Sequence, residues 1–293
     1  MHRYMRAIGF SQLKDRRELE NLIRGIIIES KDRELVSLDD EGVLSMFYME
    51  CAEDMGIAVC GQFDADNKYT YDYYYPYLRG TGISSYEDVS IERQAEKESY
   101  AGVCDDIKVG VSLIFYLQNM IPYLKALKKD LLPVSGTSLT LSALSVSGVI
   151  LMPLQKEEKD KIANKKRISN RNHLLSEARR GDEAAIESLT LEDMDIYTSI
   201  SRKIADEDIY TLVDTYFMPY GIECDQYSIL GEICEIRETK NSLTNEEIYL
   251  LTLSCNDLQF DVGINKIDLL GQPEIGRRFK GTIWMQGFVN FPE

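Results

Sequence analysis

Histidine is almost missing from this chain: of 293 residues only His2 and His173 carry an imidazole. Two such side chains cannot build a His-rich zinc site or a nucleophile–His–acid triad. No Walker loop and no G-x-G-x-x-G occurs, so the usual phosphate-cradling turns are missing as well. Long apolar runs are lacking too. The longest candidate, Leu139 to Met152, is interrupted by Ser142, Ser145, Ser147 and Gly148, short of the roughly 20 apolar residues of a membrane span. The first residues carry charges with no apolar stretch behind them, so no signal peptide is expected. Cysteine is sparse and unpaired in spacing. Cys51, Cys60, Cys104, Cys224, Cys234 and Cys255 form no C-x-x-C, and most sit in apolar strand-like runs. That pattern predicts reduced, packed thiols and a cytoplasmic location. No cofactor or metal is expected.

Positive charge is the minority sign. Lys and Arg total 33 against 49 Asp and Glu, a net charge of −16 with a pI near 4.7. Such a surface repels phosphate backbones and anionic lipids on average, so neither nucleic acid nor membrane is an expected partner; another protein is. The sign is uneven. Residues 155–180 hold nine Lys or Arg against four acids, and 181–226 hold two against twelve, which reads first as a solvated helical face.

What is present is mostly period two. Asp15 and Glu18 open an amphipathic helix carrying Leu19, Leu22, Ile23 and Ile26. Strands follow at Val43–Cys51 and Gly56–Phe63, hinged at Glu53-Asp54, with others at 87–94, 98–104, 109–118 and 138–152. In the last, the alternation shifts near Ala143, which predicts a bulge there. A helical hairpin is expected around Gly181-Asp182, and a further helix from Asp206 to Met218. From Tyr227 onward four strands return, with Asn256-Asp257 at a tight turn. The expected class is α+β in three parts: an α+β domain with a mostly antiparallel sheet over 1–154, a helical region over 155–226, and a small β-barrel of the OB or SH3 kind over 227–293.

Two patches stand out as candidate binding surfaces. Tyr69, Tyr71, Tyr73, Tyr75 and Tyr77 occupy alternate positions of one strand, so the period places all five rings on one face. Tyr71, Tyr73 and Tyr75 are its candidate binding residues, with stacking on a ligand or packing in the core as the two readings. Pro76 marks the strand as an edge. The second patch interleaves cations with aromatics: Arg277, Arg278 and Lys280 beside Phe279 and Trp284. It reads as a nucleic-acid face or, preferred, as a barrel core in which glycines 281 and 287 make room for the indole. Asp64-x-Asp66 begins like a calcium loop, but Lys68 and Tyr69 occupy positions that need a ligand and a glycine, so it reads as a hairpin turn.

Three segments resemble an uncharacterised family of cytoplasmic clostridial proteins known only as a domain of unknown function. They are His2-Arg3-Tyr4-Met5-Arg6-Ala7-Ile8-Gly9-Phe10-Ser11; Thr190-Leu191-Glu192-Asp193-Met194-Asp195 with Phe217-Met218-Pro219-Tyr220-Gly221; and Gly276-Arg277-Arg278-Phe279-Lys280-Gly281 with Ile283-Trp284. The resemblance spans nearly the whole chain and implies no activity or cofactor. The residues themselves favour a non-enzymatic intracellular binding or adaptor protein. Two alternatives stay open: a nucleic-acid-associated protein using the terminal barrel and basic helix, and an enzyme relying on carboxylates.

Overall fold

The structure is a computed structural model and describes residues 2–38, 42–94, 99–106, 112–130, 137–153, 170–171, 173–178, 180–191 and 213–291. A 3-10 turn, Arg3–Ile8, precedes helix α1, Arg16–Glu29. Asp15 caps α1 by accepting from the Arg17 amide, and Leu19, Ile23 and Ile26 share its buried face, as the 3.6-residue period requires. Strands β1 (Asp32–Leu38), β2 (Gly42–Ala52), β3 (Met55–Phe63) and β4 (Tyr69–Leu78) then form a four-stranded antiparallel sheet in that order. The Asp64 loop is a hairpin turn: its carboxylate accepts from the amides of Asp66 and Lys68 at 3.0 and 2.8 Å.

The second sheet is larger. Strands β5 (Val89–Arg93), β6 (Tyr100–Cys104) and β7 (Leu113–Leu117) make a three-stranded wing, followed by α2 (Met120–Lys128) and β8 (Ser138–Leu151). After β9 (Tyr216–Pro219) come β10 (Gln226–Lys240), β11 (Glu247–Cys255), β12 (Leu258–Asn265), the short β13 (Leu269–Leu270) and β14 (Arg278–Asn290). Because β14 pairs with both β10 and β8, the order β8-β12-β11-β10-β14 closes into a five-stranded barrel. The barrel is therefore not made by residues 227–293 alone. Its fifth strand is β8, parallel to β12 and antiparallel to β14.

Alternation along the barrel strands sends Phe279, Gly281 and Ile283 inward with Ile264 and Gly148. A Cβ on Gly148 would stand 2.4 Å from the Phe279 ring, so the glycine is what lets that ring fill the barrel. The opposite faces of β8, β12 and β14 carry the first sheet. Gly263 faces Met55 and Leu78, and buried Asp261 accepts from the Thr81 amide and hydroxyl and from Thr252, each at 2.7 Å.

β4 lies at the edge that Pro76 requires, and that edge is covered. Gln286 donates to the Pro76 carbonyl at 2.8 Å and accepts from the Leu78 amide at 3.1 Å, while Gln118 donates to the Leu78 carbonyl at 2.8 Å. Two buried glutamines thus replace the missing neighbour strand.

Three local expectations are corrected. The β8 bulge lies not at Ala143 but where Val146 and Ser147 oppose Thr282, held by the Ser145 hydroxyl donating to Ser147 and Thr282 carbonyls at 3.0 and 2.9 Å. The expected helix from Asp206 to Met218 falls partly outside the described residues, and its end is strand β9, which pairs with the half of β10 that β11 leaves open. There Phe217 packs on Tyr227 and Phe260, with ring centroids 4.5 and 6.1 Å apart. Glycines 281 and 287 do not make room for Trp284; they clear the rings of Phe279 and Phe115. The hairpin at Gly181-Asp182 is present, with Asp182 accepting from the amides of Ala184 and Ala185.

Candidate functional site

The five tyrosines do not form one wall. Between Gly61↔Tyr71 and Cys60↔Tyr73 the β3–β4 register shifts, leaving Asp72 as an extra residue. One added residue sends everything before it to the other face. Tyr69 packs beside Phe47 and Phe63, and Tyr71 is 40% exposed, while Tyr73, Tyr75 and Tyr77 are buried on the opposite side. Burial pushes the Tyr73 and Tyr75 phenols far up.

Those buried rings begin a chain of aromatic contacts that crosses the molecule. Tyr73 meets Tyr75 at 6.4 Å, Tyr75 meets Tyr116 of β7 at 4.6 Å, and Tyr116 meets Trp284 of β14 at 5.4 Å. Trp284 is 5.4 Å from Tyr4 and 4.7 Å from His2. The indole is 5% exposed. It sits on the outer wall of the barrel, because the fully buried residues before and after it on β14, Ile283 and Met285, point inward.

Above this floor opens a cleft of about 720 Å³ between the wing and the barrel, within the range of small-molecule sites. One wall is the wing face, Ala101, Val103, Ile114 and Tyr116; the other is the 222–226 turn with the N-terminal residues His2, Arg3 and Tyr4. Among the described residues the wing is tied to the barrel by few bonds. β7 meets β14 through Tyr116 and Leu117 alone, and the Tyr227 hydroxyl both accepts from the Ile114 amide, at 2.7 Å, and donates to its carbonyl, at 3.0 Å. Phe115 locks between Gly102 and Gly287, where any Cβ would strike its ring. On the other wall the Met285 amide donates to the Asp225 carbonyl at 2.9 Å, and the Trp284 indole N–H donates to Asp225 Oδ2 at 2.7 Å. Burial raises the Asp225 carboxyl above the usual carboxylate range, against the indole bond that holds it down. Burial likewise pushes the Tyr4 phenol up to about 12. Its hydroxyl lies beside the Gln226 side chain without meeting hydrogen-bond geometry. Ile222, on the rim, is fully exposed.

A smaller cleft of about 290 Å³ lies on the far side of Tyr75, lined by Asp32, Glu34, Tyr48, Tyr77, Arg79 and Phe288. Its interactions are largely internal: Tyr48 donates to Glu34 at 3.1 Å, and Arg79 lies over the Tyr48 and Tyr77 rings while pairing with Asp32.

The cationic patch is dispersed. Arg278 is buried and its guanidinium donates to the carbonyls of Met152 and Val213 at 3.1 and 2.8 Å, with burial lowering its pKa. Arg277 pairs with Glu274 at 2.7 Å. Lys280 lies on β14 opposite Val149 and Leu230. Of the basic run at 155–180, most lies outside the described residues. Among the sequence candidates, Trp284 alone lines the larger cleft and Tyr75 the smaller. His2, Tyr4, Tyr116 and Asp225 carry no local signal. They meet Trp284 only through the fold, although His2, Tyr4 and Trp284 all fall within the segments that carry the family resemblance.

No group of His, Cys, Asp and Glu among the described residues could hold a metal ion, and no helix among them is long and apolar enough to cross a membrane. The fold and cleft thus define an α+β protein built on a closed five-stranded barrel with an aromatic-floored groove on its side. The chain belongs to the family described as "Domain of unknown function, E. rectale Gene description (DUF3881)", whose model matches residues 5–287. No curated protein and no solved structure matches it.

Proposed function

We propose that the protein is a non-enzymatic binding protein that takes a ligand, or a short segment of a partner, into the cleft between wing and barrel. The observation that carries this reading is the meeting of Trp284, Tyr4, Tyr116 and His2 with the apolar wing face in one concave space of about 720 Å³. Rigid rings at the base of a concave apolar site supply binding area at small entropic cost. The wing's narrow attachment lets the cleft adjust to an occupant. Six free cysteines, four of them buried, support a reducing, cytoplasmic setting. The nucleic-acid alternative draws less support, since Arg278 and Arg277 spend their guanidinium groups on the protein itself.

Trp284 is the only tryptophan, so intrinsic fluorescence reads the cleft directly. A panel of small amphipathic compounds of varied charge should contain members that shift its emission saturably and raise the melting temperature. Val103→Arg, which fills the wing wall from a half-exposed position, should abolish both responses while the fold persists. A panel that leaves Trp284 unmoved, or compounds that bind the Val103→Arg variant as well as the parent, would sink the reading.

A further inference from the structure

The cleft has an electrostatic character that its aromatic lining does not dictate. Asp225 is placed at the base of the cleft by two fixed bonds, the Met285 amide on its carbonyl and the Trp284 indole on its carboxylate. No basic side chain among the described residues pairs with that carboxylate; the charge acting on it is Glu223, of the same sign. A half-buried carboxylate facing a like charge, with only two neutral donors, the Trp284 indole and its own backbone amide, is short of compensation. Beside it lie the N–H edge of the Trp284 indole and, packed against that indole, the rings of Tyr4 and Tyr116. The two rim arginines do not supply the missing compensation. Arg3 lies over the Tyr4 ring with its guanidinium carbon 5.7 Å from the centroid, and Arg93 is on the opposite wall, next to Glu92. Away from the carboxylate the wing offers Ala101, Val103 and Ile114, an apolar run bordered by Glu92 and Arg93 of β5.

We infer, resting on the cleft reading above, that the occupant is an organic cation with an apolar body: an ammonium or guanidinium group seated on Asp225 beside the Trp284, Tyr4 and Tyr116 rings, and a hydrocarbon or aromatic portion along the wing face. Such a group arrives either on a free amine or on a Lys or Arg side chain of a partner.

Three probes of one shape decide it: phenylethylamine, phenylethyl alcohol and phenylpropionate, cationic, neutral and anionic, titrated against the full-length protein by Trp284 fluorescence. The amine should bind saturably, the alcohol about tenfold more weakly, the value of one desolvated charge-assisted contact, and the anion not at all. Asp225→Asn keeps an acceptor for the indole and should weaken the amine by about tenfold without changing the alcohol. Glu223→Gln should weaken the amine less. A blocked lysine peptide run beside the amine separates the sources: tighter peptide binding assigns a partner side chain, tighter amine binding a free ligand, and either supports the inference. Alcohol or anion binding equal to the amine, undiminished amine binding by a folded Asp225→Asn variant, or no amine binding would each overturn the cation. The cleft reading itself falls on its own tests: a wider panel that leaves Trp284 unmoved, or binding undiminished by Val103→Arg.

Discussion

The barrel has two flanks that receive the same N-terminal segment and treat it oppositely. On one flank the segment is sealed down. Asn241 donates to the Ile8 carbonyl at 2.7 Å, Thr244 to the Gly9 carbonyl at 2.6 Å, and Glu246 accepts from the Ser11 hydroxyl at 2.8 Å. Arg6 pairs with Asp268, and Asn265 reaches both Glu246 and the Arg6 carbonyl. Gly9, at φ +89, is needed there, because a Cβ would stand 2.7 Å from that of Asn241. On the other flank the same segment presents His2, Arg3 and Tyr4 to an open cleft, where, among the described residues, a carboxylate lacks a cation and a buried phenol lacks full hydrogen-bond geometry. Polar groups that satisfy one another close a surface; groups left with capacity keep it available. That contrast, rather than any single motif, singles out the cleft.

The comparison breaks most severely at the barrel that supports both flanks. Phe279→Ala removes a fully buried ring from the interior and should cost about 3–5 kcal/mol. Denaturant unfolding should show it, and a variant as stable as the parent would contradict the inward assignment of Phe279. Next comes the seal. Asn241→Ala leaves the Ile8 carbonyl and the amides of Leu243 and Thr244 without their side-chain partner, for about 1–3 kcal/mol. Amide exchange should quicken over residues 3–11 while the wing's protection stays unchanged; equal quickening in both would merge the two flanks into one unit.

A smaller effect belongs to the open flank. Burial raises the folded pKa of Asp225 above its unfolded value, so the native state holds that proton more tightly. Its unfavourable charge is absent below about pH 4, the ordinary aspartate range, and is felt increasingly as pH rises through the folded pKa. Asp225→Asn should therefore match the parent at low pH and become the more stable of the two toward neutrality. Melting temperatures of both proteins across pH test the sign, and an Asn variant less stable than the parent at pH 7 would reverse it. The smallest effect is chemical. In native protein a thiol reagent should reach Cys224, which is exposed on the cleft, and then half-buried Cys234. Cys51, Cys104 and Cys255, whose pKa values burial pushes up to about 12, 11 and 12, should wait for unfolding, as should buried Cys60. After denaturation without reductant, six thiols should react.

The sequence by itself determined the local grammar: the Asp15 cap and the face of α1, the β2–β3 hairpin, the edge position that Pro76 imposes on β4, the turn at Asn256 and Asp257 with φ of 51 and 62, and a strand-rich α+β class ending in barrel strands. Each rests on dihedral preference or a period of two or 3.6, properties of neighbours in the chain. It also carried the family resemblance, through short segments at the start, in the middle and at the end. Only the tertiary structure decided that β8 closes the barrel, because its pairing with β12 and β14 spans more than a hundred residues and any apolar alternating strand satisfies the same pattern. It alone decided that one extra residue at Asp72 divides the tyrosines between two faces, since a bulge leaves the sequence period intact while reversing the side chains. And it alone brought Asp225, Tyr4 and Tyr116 to Trp284. A cleft is made of distances between strands, and those are set by how the packed faces of separate sheets meet, which the order of residues along any one strand does not contain.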